Sequence, residues 1–206
     1  MIRRCFLAAA LAAAACAAQA RPAPAVTVSA AGDMTMGDPR ARIEVVEYAS
    51  LTCPHCAHFH RDVVAPFKAK YVDTGKARYT LKEMLTQPAE LAAAGFLLAR
   101  CAGKDRYFAM VDELFRAQGE MFAGGQPRAV LLRIAQGQGL SEDRFTACIG
   151  DATAQQALYA RVERALQTDG IDSTPTVFVN GLRVAEGEMT FAALEAAIAK
   201  ARKAKR

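Results

Sequence analysis

The sequence lacks the features that mark the more extreme classes of protein. Its charge is nearly balanced, with 26 Lys and Arg against 21 Asp and Glu and a formal net charge of +5. Beyond the first twenty residues there is no long apolar run, and no internal repeat is visible. The nearly balanced charge argues against a nucleic-acid-binding face. The absence of a long apolar run beyond residue 20 argues against a membrane-spanning helix there. The 206 residues, 52% of them hydrophobic, suit one medium-sized domain with a real core.

The first twenty residues have the layout of an export signal. Arg3 and Arg4 precede the apolar run from Cys5 to Ala18, and Ala18-Gln19-Ala20 provides a small-x-small cleavage site. The run is shorter than the roughly 20 residues that a spanning helix needs. We therefore expect residues 1–20 to be a signal peptide and the mature protein to be soluble in the periplasm. The alternative is a lipoprotein anchored at Cys16.

Six cysteines are present, and removing the signal segment with Cys5 and Cys16 leaves four. An even number of cysteines in an exported chain indicates two pairs in an oxidising compartment. Cys101 and Cys148 fall in one helical segment, so we expect a structural disulfide between them, the alternative being two separate buried thiols. The other two, Cys53 and Cys56, are three residues apart.

The order of sequence patterns predicts an α/β domain over residues 39–206, preceded by a flexible leader over residues 21–38. Residues 43–48 are β-branched and read as a buried strand. A helix is expected over 53–71, followed by a second strand over 77–81. The buried face of this helix is expected to carry an apolar residue at every fourth position, at Phe59, Val63, Phe67 and Tyr71.

The second half of the chain changes from helical to sheet-like sequence. Residues 87–168 are rich in Ala, Leu, Glu, Gln and Arg at helical spacing, which predicts a helical insertion. Residues 176–184 then form a hairpin around Asn180-Gly181, a pair suited to a type I′ turn. Thr190 can cap a last helix. A β-α-β half and a β-β-α half thus flank the insertion.

The chemistry of the chain centres on Cys53-Pro54-His55-Cys56. Pro54 fits the first turn of a helix, where its missing N–H would be unpaired in any case. Cys53 at that position meets unpaired N–H groups and the positive end of the helix dipole, which stabilise the thiolate that attacks. Cys56 lies almost one turn further on and can close a small disulfide ring, while His55 adds a donor beside the sulfur.

The three histidines of the chain lie beside these cysteines and suggest a metal-binding site as an alternative. They are His55, His58 and His60. Cys53, Cys56 and His60 could bind zinc or copper, as in a metallochaperone. A structural zinc site normally has four protein ligands, however, and His58 and His60 are expected to point to different sides of a helix. We therefore expect no metal, with His58 and His60 at the surface.

Residues 45–56, Val-Val-Glu-Tyr-Ala-Ser-Leu-Thr-Cys-Pro-His-Cys, together with Ser173-Thr174-Pro175-Thr176, resemble the DsbA family of thioredoxin-fold oxidoreductases. The resemblance implies a thioredoxin fold with a helical insertion. It also implies that Pro175 is cis and that the Thr174 backbone lies opposite the Cys53 sulfur, where a substrate strand would pair. Glu47 matches a buried acid that relays protons in that family; the alternative is an acid at a strand edge that faces water.

The same resemblance implies a function. The Cys53–Cys56 disulfide would be donated to exported proteins with free cysteines, without another cofactor, and a quinone-linked membrane protein would reoxidise the monomeric enzyme. Ala49 and Leu51-Thr52 depart from the aromatic-rich version of the motif, so the peptide groove is expected to differ. A threonine before the cis-proline also occurs in disulfide isomerases, but the short leader leaves no room for their dimerisation domain. An oxidase is therefore favoured over an isomerase or reductase.

Overall fold

A computed structural model of the chain describes residues 24–204. The predicted signal peptide, residues 1–20, and the alternative lipidation site at Cys16 lie outside the described residues. None of the helices between residues 24 and 204 is long and apolar enough to cross a membrane.

A six-stranded mixed sheet forms the centre of the fold. The strand order is β1-β2-β4-β3-β5-β6, in which β3 and β4 are parallel and the other neighbours are antiparallel. The strands are β1 (Val26–Val28), β2 (Met34–Gly37), β3 (Ile43–Ala49), β4 (Ala77–Glu83), β5 (Thr176–Val179) and β6 (Leu182–Glu186). The β-branched residues of β3 suit its central position in the sheet, because a central strand is covered on both faces.

The prediction of a flexible leader over residues 21–38 is wrong from Val26 onward, because both β1 and β2 belong to the sheet. Met34 and Met36 alternate with polar residues and are only 2% and 3% exposed, so a period-two pattern is present but spans just four residues. Gly37 ends β2 with a φ of +116°, and a Cβ there would lie 2.8 Å from the Ala77 carbonyl oxygen. The domain therefore begins before residue 39.

Helix α1 follows β3 and covers residues 54–72, but it is not a regular α-helix. α-Helical turns at Pro54–Phe59 and Ala65–Phe67 alternate with π-helical turns at His60–Val64 and Lys68–Val72. Pro66 has no N–H to donate, and the Ala65 N–H before it reaches back five residues to the His60 carbonyl.

The wide turns also explain the stripe that repeats at every fourth residue. Four residues of an α-helix turn the chain about 400°, so such a stripe would drift around the helix by about 40° at each step. A π-turn holds more residues per turn and cancels this drift. Phe59, Val63 and Phe67 accordingly all remain in the core.

Six helices lie between β4 and β5, as the predicted insertion over residues 87–168 requires. They are α2 (Ala89–Cys101), α3 (Lys104–Arg116), α4 (Gln118–Ala123), α5 (Pro127–Gly137), α6 (Glu142–Ile149) and α7 (Ala152–Gln167). A disulfide joins Cys101 at the end of α2 to Cys148 in α6, with the two Cα atoms 6.0 Å apart. This pairing is the one expected from the sequence.

The last elements also follow the sequence-based prediction. Asn180 and Gly181 both have positive φ, +50° and +81°, and connect β5 to β6 as a tight hairpin. The final helix, α8 (Phe191–Ala204), begins after Thr190, whose hydroxyl accepts a hydrogen bond from the Ala193 N–H at 3.2 Å. The fold is thus the thioredoxin fold with a helical insertion between its two halves.

Candidate active site

The two neighbouring cysteines lie where the central strand passes into helix α1. Cys53 is the N-cap residue, with extended backbone, and its Sγ accepts a hydrogen bond from the Cys56 N–H at 3.4 Å. Pro54 occupies the first helical turn, where no N–H is needed. Cys53 and Cys56 are both free thiols in this structure, so it shows the reduced form of the pair.

The surroundings of Cys53 favour its thiolate. Its pKa is lowered from 9.0 to about 5, chiefly by a hydrogen bond from the Cys56 thiol; burial opposes this effect. The Thr174 side chain and the backbone N–H groups of Cys56 and His55 add smaller contributions in the same direction. Cys53 is therefore ionised near neutral pH and is the nucleophile of the pair.

Cys56 is in the opposite state. It is completely buried, and burial raises its pKa well above 9.0, with the Cys53 hydrogen bond and the charge of Glu47 acting in the same direction. A thiol that holds its proton so firmly cannot attack until a nearby base accepts that proton. The two cysteines thus have distinct roles: Cys53 is the nucleophile, and Cys56 is a protonated thiol that reacts only after it loses its proton.

Residues 174 and 175 face Cys53 from the other half of the fold. The Thr174–Pro175 peptide bond is cis, and the Thr174 carbonyl oxygen lies 3.4 Å from the Cys53 Sγ. β5 begins at the next residue and pairs with β3, and this pairing holds the loop against the cysteine. Both positions are those that the family resemblance implies.

A groove of about 630 Å³ begins at His55 of the Cys53–Cys56 motif and also includes His58 in its wall. Its apolar lining comes from Phe59, Val63, Met189 and Phe191. His55 is exposed, and its Nδ1 lies 3.0 Å from Glu188 Oε1 across the groove. A partly apolar groove that starts two residues from Cys53 can accommodate part of an extended peptide.

Glu47 lies on β3 beneath the cysteines and is completely buried. The Tyr79 hydroxyl donates a hydrogen bond to its Oε2, whereas its Oε1 has no partner among the described residues. Burial raises the pKa of Glu47 from 4.5 to about 7, against the opposing effects of His60 and the Tyr79 hydrogen bond. The alternative interpretation, an edge acid facing water, is wrong because β3 is a central strand.

The prediction that His60 lies at the surface is wrong. It is only 5% exposed, because helix α3 of the insertion covers that side of α1, and its ring lies against Phe115 with centroids 4.4 Å apart. Its Nε2 is 3.5 Å from the Tyr79 hydroxyl and its Nδ1 is 3.9 Å from Asp112 Oδ1. His58 is exposed, as expected. Within residues 24–204, no three His, Cys, Asp or Glu side chains are grouped to hold a metal ion.

Sequence reasoning also missed Gln118, the first residue of α4. Its buried Nε2 donates hydrogen bonds to the carbonyl oxygens of Leu51 and Cys53, both at 3.0 Å. The helical insertion thereby fixes the loop that carries the reactive cysteine. No local pattern marks a single glutamine in a helical segment for this contact, which joins residues 65 positions apart in the chain.

Comparisons with known proteins agree with this geometry. Residues 29–200 match the family described as thioredoxin. A Rickettsia conorii protein provisionally named a protein-disulfide oxidoreductase is 32% identical over 152 residues, which make up 73% of this chain and 54% of the relative. The chain thus spans little more than half the length of that relative.

Solved structures give the same picture over most of the chain. The crystal structure of Wolbachia pipientis alpha-DsbA1 superposes with a TM-score of 0.76 at 28% identity, covering 84% of this chain and 92% of that one. BdbD from Bacillus subtilis shares the fold, with a TM-score of 0.73 at 19% identity and coverage of 88% and 98%. The family match, the Wolbachia structure and the arrangement around Cys53 lead to one conclusion: the chain belongs to the DsbA-like family of thioredoxin-fold proteins.

Proposed function

We propose that the protein is a protein-disulfide oxidoreductase of the DsbA type, which introduces disulfide bonds into exported proteins. The observation that carries the proposal is the position of Cys53 at a helix N-terminus, where its sulfur faces the Thr174 carbonyl and the cis-proline. The name of the Rickettsia conorii relative supports the same reaction.

The reaction starts from the oxidised Cys53–Cys56 disulfide. A substrate thiolate attacks the Cys53 sulfur, the bond between the two cysteines breaks, and Cys56 leaves and takes up a proton. A second substrate thiolate then attacks the substrate sulfur of the mixed disulfide, and Cys53 leaves as a thiolate. The substrate loses two electrons and gains a disulfide, and the protein gains the two electrons as a reduced pair.

The side chains of the site divide this work. The low pKa of Cys53 makes it a good leaving group. Glu47 exchanges the proton of Cys56, whose pKa it influences directly. The Thr174 backbone offers a strand edge to the substrate, and the groove beside His55 holds the flanking residues.

The pKa of Cys53 also gives the direction of the reaction. Thioredoxin, with a cysteine pKa of about 7, has a potential near −270 mV. Lowering that pKa to about 5 stabilises the reduced form further. We therefore expect a potential more oxidising than that of thioredoxin, which favours a disulfide donor over a thioredoxin-type reductase. An isomerase of the same fold is the alternative.

The proposed setting rests on the family resemblance and on the N-terminal sequence. The substrates are folding proteins with free cysteines in the periplasm, and a quinone-linked membrane protein reoxidises the monomer after each turnover. The N-terminal layout of Arg3, Arg4 and the apolar run to Ala18 supports export.

The test is a redox titration of the Cys53–Cys56 pair in glutathione buffers, with Cys101 and Cys148 followed separately by mass spectrometry. A potential clearly more oxidising than that of thioredoxin supports the donor, whereas one of about −270 mV indicates a reductase. The absence of a reversible couple between Cys53 and Cys56 would refute an oxidoreductase. Cys53→Ser, which removes the couple but keeps Cys56, is the control.

A further inference from the structure

The buried acid beneath the active site is connected to a second surface of the molecule. Tyr79, completely buried on β4, contacts Glu47 on one side and His60 on the other through the same hydroxyl oxygen. His60 in turn lies 3.9 Å from Asp112, whose side chain is 35% exposed. A row of proton-carrying groups therefore runs from the centre of the sheet towards solvent, with one gap of 3.9 Å between His60 and Asp112.

The solvent end of this row is not the substrate groove. His60 and Asp112 line a separate cavity of about 510 Å³ between α1, α3 and the β1–β2 hairpin. The cavity and the groove beside His55 have no lining residue in common. Its other charged groups are Lys68, Asp73, Asp105 and Arg116. Protons can therefore reach Asp112 while a peptide covers Cys53.

We propose that Tyr79, His60 and Asp112 relay protons between Glu47 and this second cavity. The inference rests on the proposed function, and the three residues act through Glu47 rather than on the sulfur atoms. His60 suits the role because its two ring nitrogens face the two neighbours, Nε2 toward Tyr79 and Nδ1 toward Asp112. The 3.9 Å gap to Asp112 is at the solvent end, where one water can bridge it.

The proton movement balances when the reduced protein is reoxidised. The Cys56 proton passes to the Glu47 carboxylate, and the Cys56 sulfur attacks Cys53 and expels the partner as a thiolate. Once Glu47 is protonated, the Tyr79 hydroxyl turns its proton from Glu47 to His60 Nε2. Glu47 then gives its proton to the Tyr79 oxygen as the Tyr79 proton moves to His60 Nε2. The proton on His60 Nδ1 moves in turn to Asp112 and on to water.

The next turnover restores the starting arrangement. When a substrate thiolate opens the Cys53–Cys56 disulfide, Cys56 takes up a proton, and the same shifts run in reverse from Asp112 to Glu47. One proton therefore enters and one leaves in each cycle, so His60 returns to its original tautomer without turning its ring.

The test separates the two steps in which the reduced protein reacts with oxidised glutathione. In the first, Cys53 attacks and forms a mixed disulfide; in the second, Cys56 loses its proton and resolves it. Acid quenching and mass spectrometry follow both steps. His60→Ala should leave the first step unchanged and slow the second on the order of tenfold or more.

Imidazole provides a readout that a purely structural role would not change. His60→Ala opens a space next to a solvent-filled cavity, so added imidazole should enter it and restore the second step in this variant alone. Slow resolution that imidazole does not restore would overturn the relay, as would resolution at the wild-type rate. A wild-type protein that fails the first step would instead refute the proposed function.

A second pair of variants decides the question if His60→Ala does not fold. Asp112→Asn and Asp105→Asn each remove a carboxylate that lines the same cavity, but only Asp112 lies next to His60. The relay predicts slower resolution for Asp112→Asn and the wild-type rate for Asp105→Asn. Equal rates in the two variants would overturn it.

Discussion

Replacing Glu47 by glutamine should change the stability of the protein in a way that becomes more favourable as the pH rises. The pKa of Glu47 is 4.5 when exposed and about 7 in the folded protein. The folded state thus binds the proton more tightly than the unfolded chain, so ionising Glu47 lowers the free energy of unfolding. The loss develops between these two pKa values and reaches about 3 kcal/mol above them.

Glutamine does not titrate, so the variant escapes this loss. Its amide group has no partner at the Oε1 position, but that penalty is the same at every pH. The difference in unfolding free energy between Glu47→Gln and the wild type should therefore rise by about 3 kcal/mol from about pH 4 to about pH 8.

Urea unfolding of both reduced proteins at several pH values measures this difference. Glu44→Gln is the matched control, since Glu44 lies on the same strand but is partly exposed and paired with Arg78. It should show no comparable rise with pH. A difference for Glu47→Gln that stays constant with pH would refute the assignment of Glu47 as a protonated buried acid.

Three further predictions concern the cysteines and the loop that holds them. The ultraviolet absorbance of the Cys53 thiolate should titrate with a midpoint of about 5. Because this folded-state pKa is depressed, the unfolding free energy of the reduced form relative to the oxidised form should fall by ~2.3 kcal/mol from about pH 7 to about pH 5. A midpoint near 9.0, the unshifted value, would contradict it. Replacing Cys101 and Cys148 together by serine should lower the free energy of unfolding by about 4 kcal/mol, since the disulfide spans 47 residues, and urea unfolding with an unchanged midpoint would exclude this role. Gln118→Met should lower the free energy of unfolding by about 2–4 kcal/mol, because the carbonyls of Leu51 and Cys53 lose their donor. The control, Gln136→Met on the exposed face of α5, should have little effect.

The sequence allowed the fold to be predicted where the pattern was local and long. The Asn180-Gly181 turn, the Thr190 cap and the strand before Cys53 are each specified by neighbouring residues, and the structure has all three. Strand β2 was missed because its alternation covers only four residues, Met34–Gly37, and becomes a strand through pairing with β4.

The site could be predicted only as far as the motif itself extends. Cys53, Cys56 and Pro175 come together as expected because strand, helix and hairpin are adjacent in this fold. His60 looks like a surface residue until α3 covers it, and α3 lies far along the chain. Gln118 reaches Cys53 through the same insertion. Burial by a distant segment leaves no mark on the local sequence.

The two π-turns of helix α1 have a consequence for how this sequence is aligned with others. Each wide turn holds a residue that a regular α-helix of the same length would not need. A relative with a regular helix here would be shorter by a residue at each such turn, so the correct gap would fall inside the helix, between His60 and Val72. An alignment that keeps this helix free of gaps would then pair the wrong residues after His60, even where the cysteines match perfectly.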